Sequence, residues 1–494
     1  MTKSAIVLLL VMVVSVGLLL PEAGLAGKVK HPDKLKFPDL EYTPPDAGSY
    51  EVTLGSGIPA FIAEDREVPT FDLRVYVRTG IAYEPADKAG LADMMAYLMR
   101  NGGTRSFTPE ELDDRVEYLA GSISCAMRMT SATVTISTLS KDMDEALDIL
   151  LEILRYPAFD PTEVERRRED RIQELKLRNN ELRKIEAREW AFLIYGDHPY
   201  TKQFRETQAS MESISVDDLR AFHEKYFFPG NFIIAAAGDF DSRDLVRKLD
   251  RVFSGWSSRE LDLPEIPEVM HTPVPGVYIV NKEDVNQARV RIGHLGIRRD
   301  TPDYFAVKLM NYVLGGGGFA SRIVQRVRSD EGLSYSQGSR FSTPVWYDGD
   351  FRAYFQTKPS TVAFGTSIIL EEIDRIREEP VDQETLENAK QNTRSMLVNN
   401  FVDKWNTVRT LANDFLTRRP KDYWKNYETS VQAVTVEEVQ EAARKYLHPD
   451  RMVFLVVGNA DDVRNGTTEK SPAKVSDFGR ITELPLSDPL SLER

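Results

Sequence analysis

The feature that most limits how this 494-residue chain can fold is an internal repeat. The segments Ser213–Phe253 and Ala433–Asp462 share one order of elements: a helix with Val and two acidic residues in its first turn, an aromatic residue, a proline, an apolar strand and a glycine. The shared positions are Tyr226 and Tyr446, Pro229 and Pro449, and Gly238 and Gly458. This agreement in order and spacing predicts two related halves.

A second pair of matching segments extends the repeat and predicts the fold class. Phe71–Gly80 and Ala288–Ile297 alternate apolar and polar residues as strands do, and each leads into a helical pattern. Strands that alternate with long helices predict an α+β fold, in which each half is a mixed or antiparallel sheet covered by helices. Between the halves, Trp256–Gly276 contains four prolines, which is typical of an exposed linker.

The predicted organisation of the chain has five parts. They are a signal peptide (1–26), an N-terminal half (27–255), the proline-rich linker (256–276), a C-terminal half (277–462) and an extended tail (463–494).

The first 26 residues have the pattern of a secretory signal. Lys3 precedes the apolar run Ala5–Leu20, and small residues follow it, so that cleavage is predicted after Ala26. An uncleaved membrane anchor is the alternative, although the run is shorter than the roughly 20 residues of a membrane span. Cleavage would leave a secreted chain without a membrane attachment. The net charge of -14 excludes wrapping of nucleic acid, which needs a basic surface.

Two segments bear on chemistry. Gly90–Phe107 predicts an amphipathic helix with Asp93 and Tyr97 four residues apart on one face. Leu314–Phe341 begins with a glycine-rich turn that would fit a dinucleotide-binding pattern, but a helical pattern precedes it where such a site needs a strand. The charged segment Glu163–Trp190 predicts a solvated helix face.

The two halves, the linker and these two segments resemble the insulinase/pitrilysin zinc metallopeptidase family, in the branch of mitochondrial processing peptidase subunits and their bacterial relatives. In that family the opening helix carries His-x-x-Glu-His, whose histidines bind zinc and whose glutamate is the general base. The resemblance places Asp93, Ala96 and Tyr97 at these His, Glu and His positions. It places Glu174 at the position of the third ligand, which therefore keeps its residue type.

This side-chain set predicts a degenerate metal site. Aspartate is shorter than histidine, a tyrosine must lose a proton with a pKa near 10 to become a good ligand, and Ala96 cannot take a proton from water. We therefore expect no catalytic residue and no zinc in this chain. A zinc site rebuilt from other residues is the alternative, but the six histidines include no close ligand pair.

The second half retains the other part of the family pattern. The resemblance implies that Arg328 and Tyr335, the latter in "EGLSY", hold the substrate backbone and stabilise charge on the scissile carbonyl. A guanidinium and a phenol are both donors suited to an oxyanion. The alternative is structural, with Arg328 in a helix-end salt bridge and Tyr335 capping the core.

The resulting hypothesis is a non-catalytic, substrate-gripping subunit of a secreted zinc peptidase heterodimer. A homologous partner with an intact His-x-x-Glu-His would supply zinc, and unfolded peptides would be the substrates. A bacterial periplasm is the compartment that the signal and the resemblance favour. Two other functions remain open: a structural or assembly protein with this fold, and a periplasmic module that binds peptides without cutting them.

Overall fold

A computed structural model of the chain describes residues 42–260 and 263–494, so that the predicted signal peptide lies outside the described residues. The described residues form two six-stranded sheets, one in each half of the sequence, and the remaining regular structure is mainly helical. The α+β fold with two related halves is therefore confirmed. None of the helices in the described ranges is both long and apolar enough to span a membrane.

The first half contains the first six strands and the first eight helices of the described chain. The strands are β1 (Glu51–Thr53), β2 (Pro59–Glu64), β3 (Thr70–Val77), β4 (Ser122–Met127), β5 (Ala132–Leu139) and β6 (Phe232–Gly238). The helices are α1 (Leu91–Asn101), α2 (Pro109–Tyr118), α3 (Met143–Arg155), α4 (Pro161–Lys176), α5 (Leu182–Tyr195), α6 (Gln208–Ser213), α7 (Val216–Tyr226) and α8 (Ser242–Phe253). The sheet order is β1-β2-β6-β3-β5-β4, with only β2 and β6 parallel.

The second half follows the same plan. Its strands are β7 (Gly276–Asn281), β8 (Ala288–Leu295), β9 (Gln337–Phe341), β10 (Asp350–Thr357), β11 (Val453–Gly458) and β12 (Ile481–Leu484). Its helices are α9 (Tyr304–Asn311), α10 (Arg322–Val324), α11 (Val362–Glu378), α12 (Gln383–Asn399), α13 (Lys404–Leu416), α14 (Tyr423–Ala433), α15 (Val436–Tyr446) and α16 (Ala460–Arg464). The sheet order is β12-β7-β11-β8-β10-β9.

The two sheets match strand for strand at five positions. The apolar strands that define the sequence repeat, β6 and β11, are buried at every residue, which requires cover on both faces of the sheet. The sixth position differs: β1 pairs antiparallel with β2, whereas β12 pairs parallel with β7. The segment predicted as an extended tail thus completes the second sheet.

The sheet of each half packs against a helix that belongs to the other half. Helix α13 of the second half packs on β2, β3 and β6, and α5 of the first half packs on β8 and β11. On α5, Trp190 donates from Nε1 to Asp350 Oδ2 at 2.7 Å, and buried Glu186 accepts from Arg289 and Arg291 at 2.8 and 3.1 Å. This exchange fixes the two sheets against each other.

Candidate functional site

The degenerate metal position lies in a cleft of about 490 Å³ formed by α1, the outermost strand β4 and α4. All the lining residues belong to the first half, and they include Asp93, Ala96 and Tyr97, as well as the only cysteine, Cys125. Burial raises the pKa of the Cys125 thiol to about 12, so this cysteine is a poor nucleophile at neutral pH.

The start of α1 is fixed by a side chain from the preceding turn. Gly90 adopts φ 97°, where a Cβ would lie 2.2 Å from Met211 Cε, so only glycine fits. Glu84 accepts from the backbone N–H of Gly90 at 3.2 Å and of Ala92 at 3.1 Å, which satisfies two donors at the helix N-terminus. Helix α1 therefore presents Asp93 and Tyr97 to the cleft in a fixed register.

Asp93, at the first histidine position, is mostly buried. Burial raises the pKa of its carboxyl to about 6, and the charge of Glu206 acts in the same direction. Arg171 and Arg167 act in the opposite direction. This aspartate thus faces two cations of α4 and one competing carboxylate.

Two arginines hold Glu174, the residue at the third-ligand position. Arg167 Nη1 lies 3.3 Å from Glu174 Oε1, and Arg171 Nη1 bonds to Oε2. Burial alone would raise the pKa of Glu174, but the hydrogen bond and charge of Arg171, together with Arg167, lower it below the ordinary value. Arg171 also bonds to Glu206 Oε2, at 2.6 Å from Nη2 and 2.8 Å from Nε.

The residues in this cleft do not fit a zinc ion. Both carboxylate oxygens of Glu174 are bonded to guanidinium groups, and the guanidinium of Arg167 lies 4.2 Å from the centre of the Tyr97 ring. Zinc sites need imidazole, thiolate or free carboxylate donors in tetrahedral geometry, and two adjacent cations oppose a third. In residues 42–260 and 263–494, no group of three His, Cys, Asp or Glu side chains is arranged to hold a metal ion.

The structure brings the two predicted residues of the second half together on the surface. Arg328 lies in a π-helical turn, Gln325–Asp330, a geometry that recurs at functional sites. Its guanidinium lies 5.6 Å from the Tyr335 ring centre and 4.6 Å from that of Phe319. We call these three residues the surface triad.

The surface triad is open to solvent. Tyr335 is 89% exposed and Phe319 is 66% exposed. The alternative in which Tyr335 caps the core is therefore wrong. Within the described part of the chain Arg328 makes no ion pair, so a helix-end salt bridge does not explain it either.

Sequence reasoning missed Arg167, Arg171 and Phe319. The two arginines fall within the segment interpreted as a solvated helix face, yet their spacing with Glu174, four and then three residues, places all three on one side of α4. This spacing could have indicated, from the sequence alone, that the two arginines lie beside Glu174. Phe319 ends the glycine-rich turn, and nothing in the local pattern distinguishes it from a buried aromatic residue.

These features define a class: a two-half zinc-peptidase fold in which arginines stand at the metal position and an Arg/Tyr pair is retained. A family model described as "Insulinase (Peptidase family M16)" matches residues 61–196, and one described as "Peptidase M16 inactive domain" matches residues 213–393. The chain belongs to this insulinase-type M16 family, as its motifs predict. It is a peptidase-like member without the His-x-x-Glu-His side chains.

Known proteins with similar sequences and structures agree with this assignment. The chain is 22% identical over 369 residues to an "Uncharacterized zinc protease" of Rickettsia bellii, covering 75% of this chain and 85% of that protein. It is 22% identical over 407 residues to the "Non-peptidase homolog YmxG" of Helicobacter pylori, covering 81% of this chain and 92% of that protein. A solved peptidase M16 inactive domain from Pseudomonas fluorescens shares the fold, with a TM-score of 0.74, 24% identity, and coverage of 83% of this chain and 98% of that one.

Proposed function

We propose that this chain is the non-catalytic, substrate-gripping subunit of a secreted zinc metallopeptidase heterodimer that degrades unfolded peptides. A homologous partner with an intact His-x-x-Glu-His supplies the zinc. The observation that carries the proposal is the surface triad, in which the guanidinium of Arg328 lies close to the ring of Tyr335. Tyr335 is exposed, and among the described residues Arg328 forms no ion pair, so neither side chain has an evident structural role. Exposed aromatic and arginine side chains that cluster in this way are typical of binding surfaces.

The chemistry of the surface triad suits a peptide backbone. The guanidinium of Arg328 and the phenol of Tyr335 are donors for carbonyl oxygens, and they strengthen their bonds as negative charge develops there. Tyr335 also stands two residues before β9, which is one of the two edge strands of the second sheet. A peptide added to that edge as a further strand would run beside the triad, and this mode of binding depends on backbone more than on side chains.

Secretion is part of the proposal and has its own test. The signal pattern of residues 1–26 favours export, and the bacterial periplasm is the compartment we propose. Mass spectrometry of the chain purified from a bacterial periplasmic extract should give a mature N-terminus at Gly27. A chain that keeps residues 1–26 and sediments with membranes would instead show an uncleaved anchor.

A second function, peptide binding without cleavage, is favoured by one observation. The cleft of about 490 Å³ stays open along the outermost strand β4 although its metal position is held by Arg167 and Arg171. A strand edge beside an open cleft can still accept an extended peptide. In this case the chain would act alone, and the surface triad would contribute nothing to turnover.

The deciding experiment reconstitutes the heterodimer. The chain is co-purified with a homologous subunit that carries His-x-x-Glu-His, and cleavage of a quenched fluorescent peptide is measured. We expect activity only from the complex, and on the order of 10²-fold lower kcat/KM for Arg328→Ala, because an oxyanion donor is lost. Tyr335→Phe, which removes only the hydroxyl, should give a smaller loss of the same kind.

The control variant is Arg243→Ala, which removes an exposed arginine of α8, a helix of the first half. It should leave the rate unchanged. If Arg328→Ala also leaves the rate unchanged, the gripping role is wrong. If no complex forms but the lone chain binds unfolded peptides by calorimetry, the peptide-binding function replaces the proposed one.

A further inference from the structure

A second concave region lies where the two halves and the linker meet. Helix α13 packs on β2 and β3, and Phe61 of β2 meets Phe415 of α13 edge to face, with ring centres 5.9 Å apart. Two adjoining cavities of about 820 and 350 Å³ open here, and Arg78, Phe415 and Arg418 line both. Volumes of this size match small-molecule sites in proteins.

Arg78 and Arg418 reach this region from different halves. The backbone of Arg78 is fixed by buried Asn231, which accepts from its N–H at 3.3 Å and donates from Nδ2 to its carbonyl at 2.9 Å. Arg418 follows α13 with φ 53°, a left-handed conformation that costs a non-glycine residue energy. Its guanidinium lies 5.4 Å from the centre of the Trp346 ring.

Neither guanidinium is paired with a carboxylate in the part of the chain that the structure describes. Among the described residues, no ion pair or side-chain hydrogen bond involves the Arg78 or the Arg418 guanidinium. Burial, followed by the charge of Arg418, lowers the pKa of Arg78, so the two cations are close enough to oppose each other. Two like charges held together in a chain of net charge -14 are a costly arrangement that a bound anion would relieve.

Nearly all the other charged groups around these cavities are already paired. Asp414 bonds to Arg419 at 3.3 Å, and Glu51 bonds to Lys421 at 2.6 Å. Arg259, in the larger cavity, donates to the carbonyl oxygens of Glu224 and Lys225. Only Glu260 remains as an unpaired carboxylate among the described lining residues of the larger cavity.

From this arrangement we infer that the junction binds a small organic oxyanion, a carboxylate or a phosphate, between Arg78 and Arg418. Guanidinium groups present forked donors that bind both anions in a bidentate manner. Phe415, Leu416 and Leu263 line the larger cavity beside the cations, so they receive the apolar body of the ligand. This site is independent of the surface triad and of the cleft on α1.

Calorimetric titration of the full chain tests the inference with two probes. Inorganic phosphate represents the phosphate source, and N-acetyl-dialanine, compared with its C-terminal amide, represents the carboxylate source. We expect at least one acid to bind with 1:1 stoichiometry and the amide not to bind. Arg78→Gln and Arg418→Gln should each weaken binding on the order of tenfold, which corresponds to the loss of one charge-assisted hydrogen bond.

Two further variants make the result decisive. Arg243→Gln makes the same charge change on α8, and its affinity should stay within about twofold of the parent, because Arg243 lines neither cavity and its exposed charge is screened by solvent and salt. Glu260→Gln should tighten binding, because it removes the unpaired carboxylate that lines the larger cavity and competes for the cations. Arg418 is exposed, so Arg418→Gln should keep the parent's melting temperature. Absence of binding by both acids would overturn the inference, and so would binding by Arg78→Gln and Arg418→Gln that is as tight as binding by the parent.

Discussion

The guanidinium of Arg167 lies 4.2 Å from the centre of the Tyr97 ring, so a fixed cation covers the side chain at the family's second histidine position. The same arginine and Arg171 bond to the two oxygens of Glu174. Positive charge is therefore still present where the family holds zinc, but it is carried by the chain itself. These guanidinium groups compensate the negative charge of the retained glutamate.

Restoring the family motif alone should give only weak zinc binding. In the variant Asp93→His, Ala96→Glu, Tyr97→His, the guanidinium of Arg167 still bonds to Glu174 and opposes a cation. Adding Arg167→Leu should tighten zinc binding roughly 10–100-fold, the range seen when groups next to metal ligands are changed. Zinc titration with a competing chromophoric chelator gives the affinities.

The control for that comparison is Arg247→Leu in the same triple variant. Arg247 is an exposed arginine of α8 and pairs with Asp244 instead of Glu174. It should not change zinc affinity. Tight zinc binding by the triple variant with Arg167 intact would show that the arginine does not exclude the metal.

The two carboxylates bonded to Arg171 should differ in their contribution to stability. The side chain of Glu206 is 5% exposed, whereas that of Glu174 is 50% exposed. Glu206→Gln should therefore lower the free energy of unfolding by about 1–3 kcal/mol, as expected for a buried hydrogen bond to a charged group. Glu174→Gln should cost about 0–1 kcal/mol, because solvent screens the pair. Urea unfolding at neutral pH measures the free energy of unfolding of both variants. Equal losses of this free energy would contradict the difference in burial between Glu206 and Glu174.

Asp93 should give the chain a pH-dependent stability. Its pKa is about 6 in the folded chain against an ordinary value of 3.8, so the folded state binds this proton more tightly than the unfolded state. The stability that the folded chain gains from binding this proton is complete below about pH 4, falls as the pH rises, and is lost above about pH 6. The two-unit shift limits the loss to about 3 kcal/mol.

Asp93→Asn isolates this effect because it removes the titration and keeps the shape. The variant and the parent should have similar unfolding free energies near pH 4, and the variant should be the more stable at pH 7. A constant difference between them over this range would show that Asp93 does not titrate between the two values.

The sequence predicts the plan of the fold well, for a physical reason. Strands β6 and β11 are buried on both faces, so each must be an uninterrupted apolar run after a helix, and this pattern is visible as the repeat around Gly238 and Gly458. The correspondence of Asp93, Ala96 and Tyr97 to the metal motif, and of Arg328 and Tyr335 to the second-half signature, could likewise be recognised from the sequence.

Long-range contacts account for what the sequence did not predict. The direction in which Arg167 and Arg171 point depends on how α4 packs beside α1, which no local pattern encodes. Strand β12 has four residues and pairs with β7, about 200 positions earlier in the chain, so its local pattern does not distinguish it from an irregular tail. Likewise, only the assembled halves bring Arg78 and Arg418 to one cavity, where no described carboxylate pairs with either guanidinium.

The segment after β12 should act as a strap between the halves. It leaves the second sheet and reaches the first half, where Ser487 O accepts from Asn179 Nδ2 and Leu490 O accepts from Gln208 N, both at 2.8 Å. Truncation after Leu484 removes both bonds and should lower the free energy of unfolding by about 1–3 kcal/mol, since Asn179 is buried and loses a partner. Truncation after Leu490 keeps both bonds and removes only the contacts of the last four residues, including the ion pair of Arg494 with buried Glu189. Urea unfolding compares the two truncations. If both truncations destabilise the chain equally, the stabilising contact lies in the last four residues and the strap does not act through Asn179 and Gln208.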